Sequence, residues 1–214
     1  MPKGRSVRRA VKRPRLGPKA AEAPAADGRV QRGERNRAAI VEAMFELVGE
    51  RVLEPTAEQV ATRAGVGLRS VFRHFDDMES LYAAVDARLR REVEPIVAAG
   101  EPSGGSAERA RAMLQRRMRL FERVAPYKRS ANLNRQRSAF LNARHQTLVL
   151  ALRAHLLRWL PELAEAPREV FDAIELTTSF EAWDRLRGDQ GLSATRAQAA
   201  VEASVIALLG LRSR

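Results

Sequence analysis

The stretch from Arg63 to Phe75 carries Arg63, Arg69 and Arg73 and no carboxylate. Residues 36–90 around it hold 7 basic and 9 acidic side chains, so this cationic run stands inside an acidic neighbourhood. A short helix over 68–74 directs Arg69, Ser70, Arg73 and His74 outward. Guanidinium, hydroxyl and imidazole groups on one helical face donate hydrogen bonds and positive charge, which is what phosphate oxygens and base edges accept.

Other chemistries find little support. The chain of 214 residues has no Cys, which removes disulfides, thiolate zinc sites, iron–sulfur clusters and cysteine nucleophiles together. Its three His are His74, His145 and His155. The last two lie ten residues apart on one expected helix, about 15 Å of rise, too far to chelate one ion. Glu181, Trp183, Asp184 and His145 yield no identifiable nucleophile–base pair. The run Gly65-Val-Gly67-Leu-Arg-Ser70 lacks the third Gly and the preceding strand of a dinucleotide loop. The expectation is a non-enzyme with no cofactor and no metal.

The elements that must hold the cationic helix read clearly. Ile40, Val41, Met44, Phe45, Leu47 and Val48 repeat at helical spacing over 36–50. Thr56 and Gln59 have the spacing of a capping box for a helix over 57–64, and Gly65 supplies a left-handed stop. Only Gly65-Val66-Gly67 separates that helix from 68–74, which is a helix-turn-helix arrangement. Ala61 is small where the two would cross, and Val60, Val66 and Val71 are apolar toward the first helix. Asp76 or Asp77 caps the next helix, with Leu81, Val85 and Leu89 inward. Pro95 and residues 100–105 form a break, with Ser106 as the following cap. Further helices are expected over 107–124 before Pro126, 138–160, 167–187 and 194–211, the last capped by Ser193. The polar segment 127–137 is ambiguous. No period-2 alternation is long enough for a strand, so the fold class is all-α.

Residues 37–82 resemble the TetR family of bacterial transcription repressors. The matching residues are Arg37-Ala-Ala-Ile40, Thr56-Ala-Glu-Gln-Val-Ala-Thr-Arg-Ala-Gly-Val66, Val71-Phe-Arg-His-Phe75 and Leu81-Tyr82. Farther on, Trp183-Asp-Arg-Leu-Arg187 and Gly191-Leu-Ser193 look like the end of the family's penultimate helix. The resemblance implies that Thr56 caps its helix beside a phosphate, that Arg69 and Ser70 face the major groove, and that Phe72, Arg73 and His74 sit at the backbone edge. Phe72 stands where the family usually has Tyr, Met78 where it has Lys, and Arg69 where a small residue is common. By residue type alone, Phe72 and Phe75 read as core.

Charge is distributed unevenly. Lys plus Arg number 38 against 26 Asp plus Glu, a formal +12. Residues 1–35 hold 11 basic and 3 acidic side chains, and 1–33 carry almost nothing large and apolar. That segment is expected to be a disordered basic arm, with Arg8, Arg9, Lys12, Arg13 and Arg15 available to a DNA backbone or minor groove. No signal peptide or spanning segment is visible, and the expected location is the cytoplasm.

The expected organisation is an arm (1–33), a helix-turn-helix DNA-binding domain (34–82) and a helical effector-binding and dimerisation domain (83–214). The expected function is a ligand-responsive repressor that binds a palindromic double-stranded DNA operator as a homodimer. The alternative is a DNA-binding protein of the same fold without an effector. Ala199, Ala203 and Ala207 form a ridge on the last helix, beside Val201, Val205, Leu208 and Leu209. The last two helices are therefore the expected dimer surface. Met113, Met118, Phe121, Phe140, His145 and Trp183 are the candidate contacts for a small-molecule effector.

Overall fold

The computed structural model describes residues 24–211. The apolar stripe at 40–48 decides the first helix, α1 (Pro24–Gly49). Ile40, Met44, Phe45 and Val48 are all buried. The helix starts well before Arg35, so residues 24–33 of the expected arm are helical. The physical reason is cooperativity. Packing at 40–48 nucleates the helix, and each further residue toward the N-terminus then costs little. The basic residues between Arg8 and Arg15 lie outside the described residues.

The next two elements match the sequence reading: α2 (Ala57–Ala64) and α3 (Leu68–His74). Asp77 caps α4 (Met78–Ala98), its Oδ1 accepting from the Ser80 N–H at 2.9 Å. α4 continues through Pro95. α5 (Ser106–Asn134) likewise continues through Pro126. Its N-cap is Gly105, whose N–H donates to Glu108 Oε2 at 2.8 Å, so Ser106 is the first helical residue and not the cap.

A helix interrupted by Pro needs compensation from packing. Beyond Pro126, Tyr127 stacks on Phe45 with ring centroids 4.5 Å apart. Ser130 Oγ donates to the Leu53 carbonyl at 2.6 Å. The ambiguous polar segment is thus the part of α5 that grips the end of α1, completed by a 3-10 turn at Arg135–Arg137.

Ser138 caps α6 (Ala139–Trp159), and Ser193 caps α9 (Ala194–Leu208). The expected single helix over 167–187 is two, α7 (Arg168–Thr177) and α8 (Phe180–Asp184), followed by one wide π-helical turn at Arg185–Asp189. The break falls at Thr178-Ser179. Ser179 Oγ accepts from the Ala182 N–H at 3.1 Å and restarts the helix. Adjacent hydroxyl side chains offer the backbone partners that compete with an unbroken helix. Among the described residues no strand occurs and no helix is long and apolar enough to cross a membrane.

The buried residues form two clusters. One joins α1 to α4 through Ile40, Val60, Val71, Phe75 and Leu81. The other joins α5 to α9 through Met113, Leu114, Trp159, Ile174, Trp183 and Val201.

Arg117 is a charged residue inside the second cluster, only 3% exposed. Its Nη2 lies 3.0 Å from His155 Nδ1, a contact in which a neutral imidazole accepts. Burial first, then the Arg117 and Arg158 charges, push the His155 pKa down to about 4 from 6.5. Between these values the unfolded chain binds a proton that the folded chain refuses, so stability rises with pH and is lost as pH falls from 6.5 to 4. With solvent screening at the exposed ring edge the loss is expected to be about 1–2 kcal/mol. Urea unfolding across that window should show a shallower pH slope in His155→Gln than in the wild type; equal slopes would contradict it.

Candidate nucleic-acid interface

α3 is fixed from three sides. Thr56 Oγ1 accepts from the Gln59 N–H at 3.2 Å, and Gln59 Oε1 accepts from the Thr56 N–H at 2.9 Å, which locks the start of α2. Gly65 adopts φ 64°, a left-handed conformation that costs a side chain-bearing residue about 1 kcal/mol or more. The turn closes when the Val66 N–H donates to the Ala61 carbonyl at 3.0 Å. Val71 and Phe75 then anchor α3 in the core, 2% and 3% exposed.

The outward face is cationic and apolar together. Arg69 and Arg73 are exposed, Ser70 is half-buried, and Thr56 is exposed at the start of α2. Arg73 Nη2 donates to Ser70 Oγ at 3.0 Å. Arg69 has no hydrogen-bonded or ionic partner among the described residues. Phe72 is 54% exposed, so the core reading of this side chain is corrected. Its position on the helix, one residue past buried Val71, turns it to solvent. Phe75 is core as expected.

Two sequence readings need adjustment. Arg63 is held by Glu50 at 2.8 Å, just past the end of α1, and by Glu46 of α1 at 3.4 Å, so it contributes no free cation. His74 is half-buried against α1, near Gly33, and its Nε2 is buried with no partner among the described residues. Burial first, then the Arg73 and Arg37 charges, lower its pKa. A neutral, half-covered ring is a weaker phosphate partner than the two arginines.

Arg37 is a residue that side-chain reasoning missed. It is exposed on α1, with its guanidinium 4.9 Å from the centre of the Phe75 ring. It therefore adds a third cation beside α3. Its helical spacing from Ile40 was the available signal.

Behind the interface lies a cavity of about 790 Å³ whose wall draws on α1, α4, α5 and α6. Phe121 and His145, two of the candidate effector contacts, line it. Met113, Met118 and Trp183 do not; they are buried in the second cluster, where Trp183 Nε1 donates to Glu122 Oε1 at 2.9 Å. Phe140 is outside the wall as well, and its backbone N–H donates to Glu79 Oε2 at 2.8 Å. The sequence reading overlooked Tyr127, Lys128, Arg135 and Arg144, which all line the cavity. The first three lie in the polar segment 127–137, whose period gave no clear face.

On α9, Ala199, Ala203 and Ala207 are exposed, as the ridge requires. Val201 and Val205 are not free for a partner, because they are buried within this chain. Leu176 on neighbouring α7 is 66% exposed.

The fold is similar to that of two crystal structures. A transcriptional regulator from Rhodococcus sp. RHA1 superposes with a TM-score of 0.62 at 18% identity, over 83% of this chain and 96% of that one. A TetR transcriptional regulator from Rhodococcus sp. RHA1 superposes with a TM-score of 0.51 at 22% identity, over 86% and 100%. No protein-family model and no curated protein matches the chain. The likeness is one of fold alone, an all-helical architecture shared with both.

Proposed function

We propose that this protein is a TetR-family, sequence-specific transcriptional regulator of the cytoplasm, with no enzymatic activity. It acts as a homodimeric, ligand-responsive repressor on a palindromic operator. The observation that carries the reading is the exposed face of α3, where Arg69 and Arg73 project with no carboxylate from a turn locked by Thr56 and Gly65.

One helix of two turns reads only a few base pairs, so specificity requires a second copy at a fixed spacing. The small-residue ridge of α9 with Leu176 of α7 is the surface through which two copies approach. Thr56, Arg69, Ser70, Phe72, Arg73 and His74 are the DNA-contacting set, with Arg37 added from α1. The cavity supports the effector half of the reading, since Met44 and Val48 of α1 share its wall with residues of α5 and α6. A ligand there loosens DNA binding only as far as it prefers the conformation in which the recognition helices are misplaced.

The test compares the affinity of the full-length protein for DNA from its own promoter region with that for random duplex at one fixed salt concentration. A specific regulator retains a ratio of about a thousand or more. A ratio near one would leave only general attraction of a basic chain to DNA.

A further inference from the structure

Resting on the reading of the cavity as an effector site, we propose that its ligand is an amphipathic monocarboxylate, with an apolar body along the cavity and its carboxylate at Lys128, Arg135 and His145.

The body follows from the walls. Val85, Leu89, Val124, Leu148 and Leu152 line the cavity, and its volume falls in the range that encloses small ligands, about 300–1,000 Å³. Such walls favour apolar surface removed from water.

The head group follows from a local charge surplus. Lys128 is the sole Lys after residue 19 in a chain whose other cations there are Arg. Its side chain is 10% exposed. Nζ donates to Asn132 Oδ1 at 2.7 Å, lies 2.8 Å from His145 Nδ1, and has one carboxylate, Glu181 Oε1, at 3.3 Å. Arg135 is half-buried at the same wall and has no side-chain partner among the described residues. Its charge reaches both neighbours, since it lowers the pKa of Lys128 and of His145 after burial has done so. Lys128 thus has one carboxylate beside it, and Arg135 lies at the same wall with no ion pair among the described residues. The ammonium also fixes the imidazole, because Nδ1 must accept, leaving the ring proton on Nε2 as a further donor. The other cations of the wall are paired or solvated. Arg144 and Arg90 share Asp86, at 2.9 and 3.0 Å, and the Arg90 side chain is 61% exposed. Arg91 and Glu94 are both exposed and opposite in charge.

A positive surplus at a half-buried, largely apolar wall costs free energy until an anion arrives. A carboxylate offsets the charge of Lys128 and Arg135, whereas an amine would add to it.

The experiment titrates the full-length protein, without DNA, by calorimetry with saturated monocarboxylates from octanoate to hexadecanoate. The 1-alkanols and 1-alkylamines of equal length serve as comparisons. At the best length the carboxylate should bind about tenfold tighter than the alcohol or more, and the amine weaker than either. Lys128→Met and Arg135→Gln should each lose about tenfold for the carboxylate and leave the alcohol unchanged; the half-exposed Arg135 serves if the buried Lys128 variant does not fold. Equal binding of carboxylate and alcohol, preference for the amine, absence of binding across the series, or equal losses for both head groups would overturn the proposal. Operator affinity of the unliganded protein is measured separately. Intact operator binding without carboxylate binding removes only the ligand class. Carboxylate binding without operator binding removes the regulatory reading.

Discussion

Simultaneous replacement of Arg69 and Arg73 by Ala is expected to lower operator affinity by about a thousandfold or more. A twofold dimer loses four guanidinium groups, and each groove or phosphate contact is worth about 1–3 kcal/mol, with 1.4 kcal/mol equal to about tenfold. Both side chains are exposed, and neither Val71 nor Phe75, which hold α3, is touched. Surface substitutions of this kind change stability by about 0.5 kcal/mol or less, so helical content and melting should be preserved. Electrophoretic mobility shifts alongside circular dichroism separate weakened binding from unfolding. Single variants divide the labour. Removing a phosphate-binding side chain weakens all sequences and reduces the salt slope, whereas removing a base-reading one relaxes a single position. Undiminished operator affinity in a folded double variant would remove α3 as the reading element.

The part of the fold that positions α3 was legible because its signals are local. Thr56 and Gln59 are three residues apart, Gly65 ends one helix, and Gly67 starts the next; each acts within a single turn. Buried Val60, Ala61 and Val71 needed only a helical period to be recognised. The face of α3 followed from the same period, though the exposure of Phe72 did not, because aromatic type suggests burial regardless of direction.

What was not legible depends on distant partners. Pro126 looks like a stop, and only distant contacts, the Tyr127 stack on Phe45 and the bond from Ser130 to the Leu53 carbonyl 77 residues away in sequence, explain why α5 continues. Arg63 looks like a free cation until folding brings Glu46 and Glu50 beside it. The cavity shares this property. The apolar candidates Met113, Met118 and Trp183 fill the core, and much of the wall is left to residues such as Tyr127, Lys128 and Arg135. A void forms where packed helices fail to meet, which no single helix encodes.

Arg117→Ala is expected to destabilise the chain by about 3 kcal/mol or more. Nη1 donates to Thr178 Oγ1 at 2.9 Å, and Nη2 donates to the Leu152 carbonyl at 3.0 Å and faces His155. One side chain of α5 therefore ties α6 to the break between α7 and α8. Truncation leaves these acceptors unmet in a buried space and opens a cavity. The guanidinium nevertheless has no carboxylate within ion-pair distance among the described residues, and burial pushes its pKa down to about 10. It stays cationic at neutral pH, and its own desolvation opposes the bonds it makes. Arg117→Met refills much of the volume and removes that opposing cost, so it should lose less than half of what Ala loses. Arg117→Lys keeps the charge but concentrates it on one atom that cannot span the same acceptors, and should resemble Ala more than Met. Urea unfolding of the three variants ranks them. Equal stability of Ala and wild type would show that the bond network contributes nothing net, and Met falling as far as Ala would show that the hydrogen bonds, not volume and desolvation, set the cost.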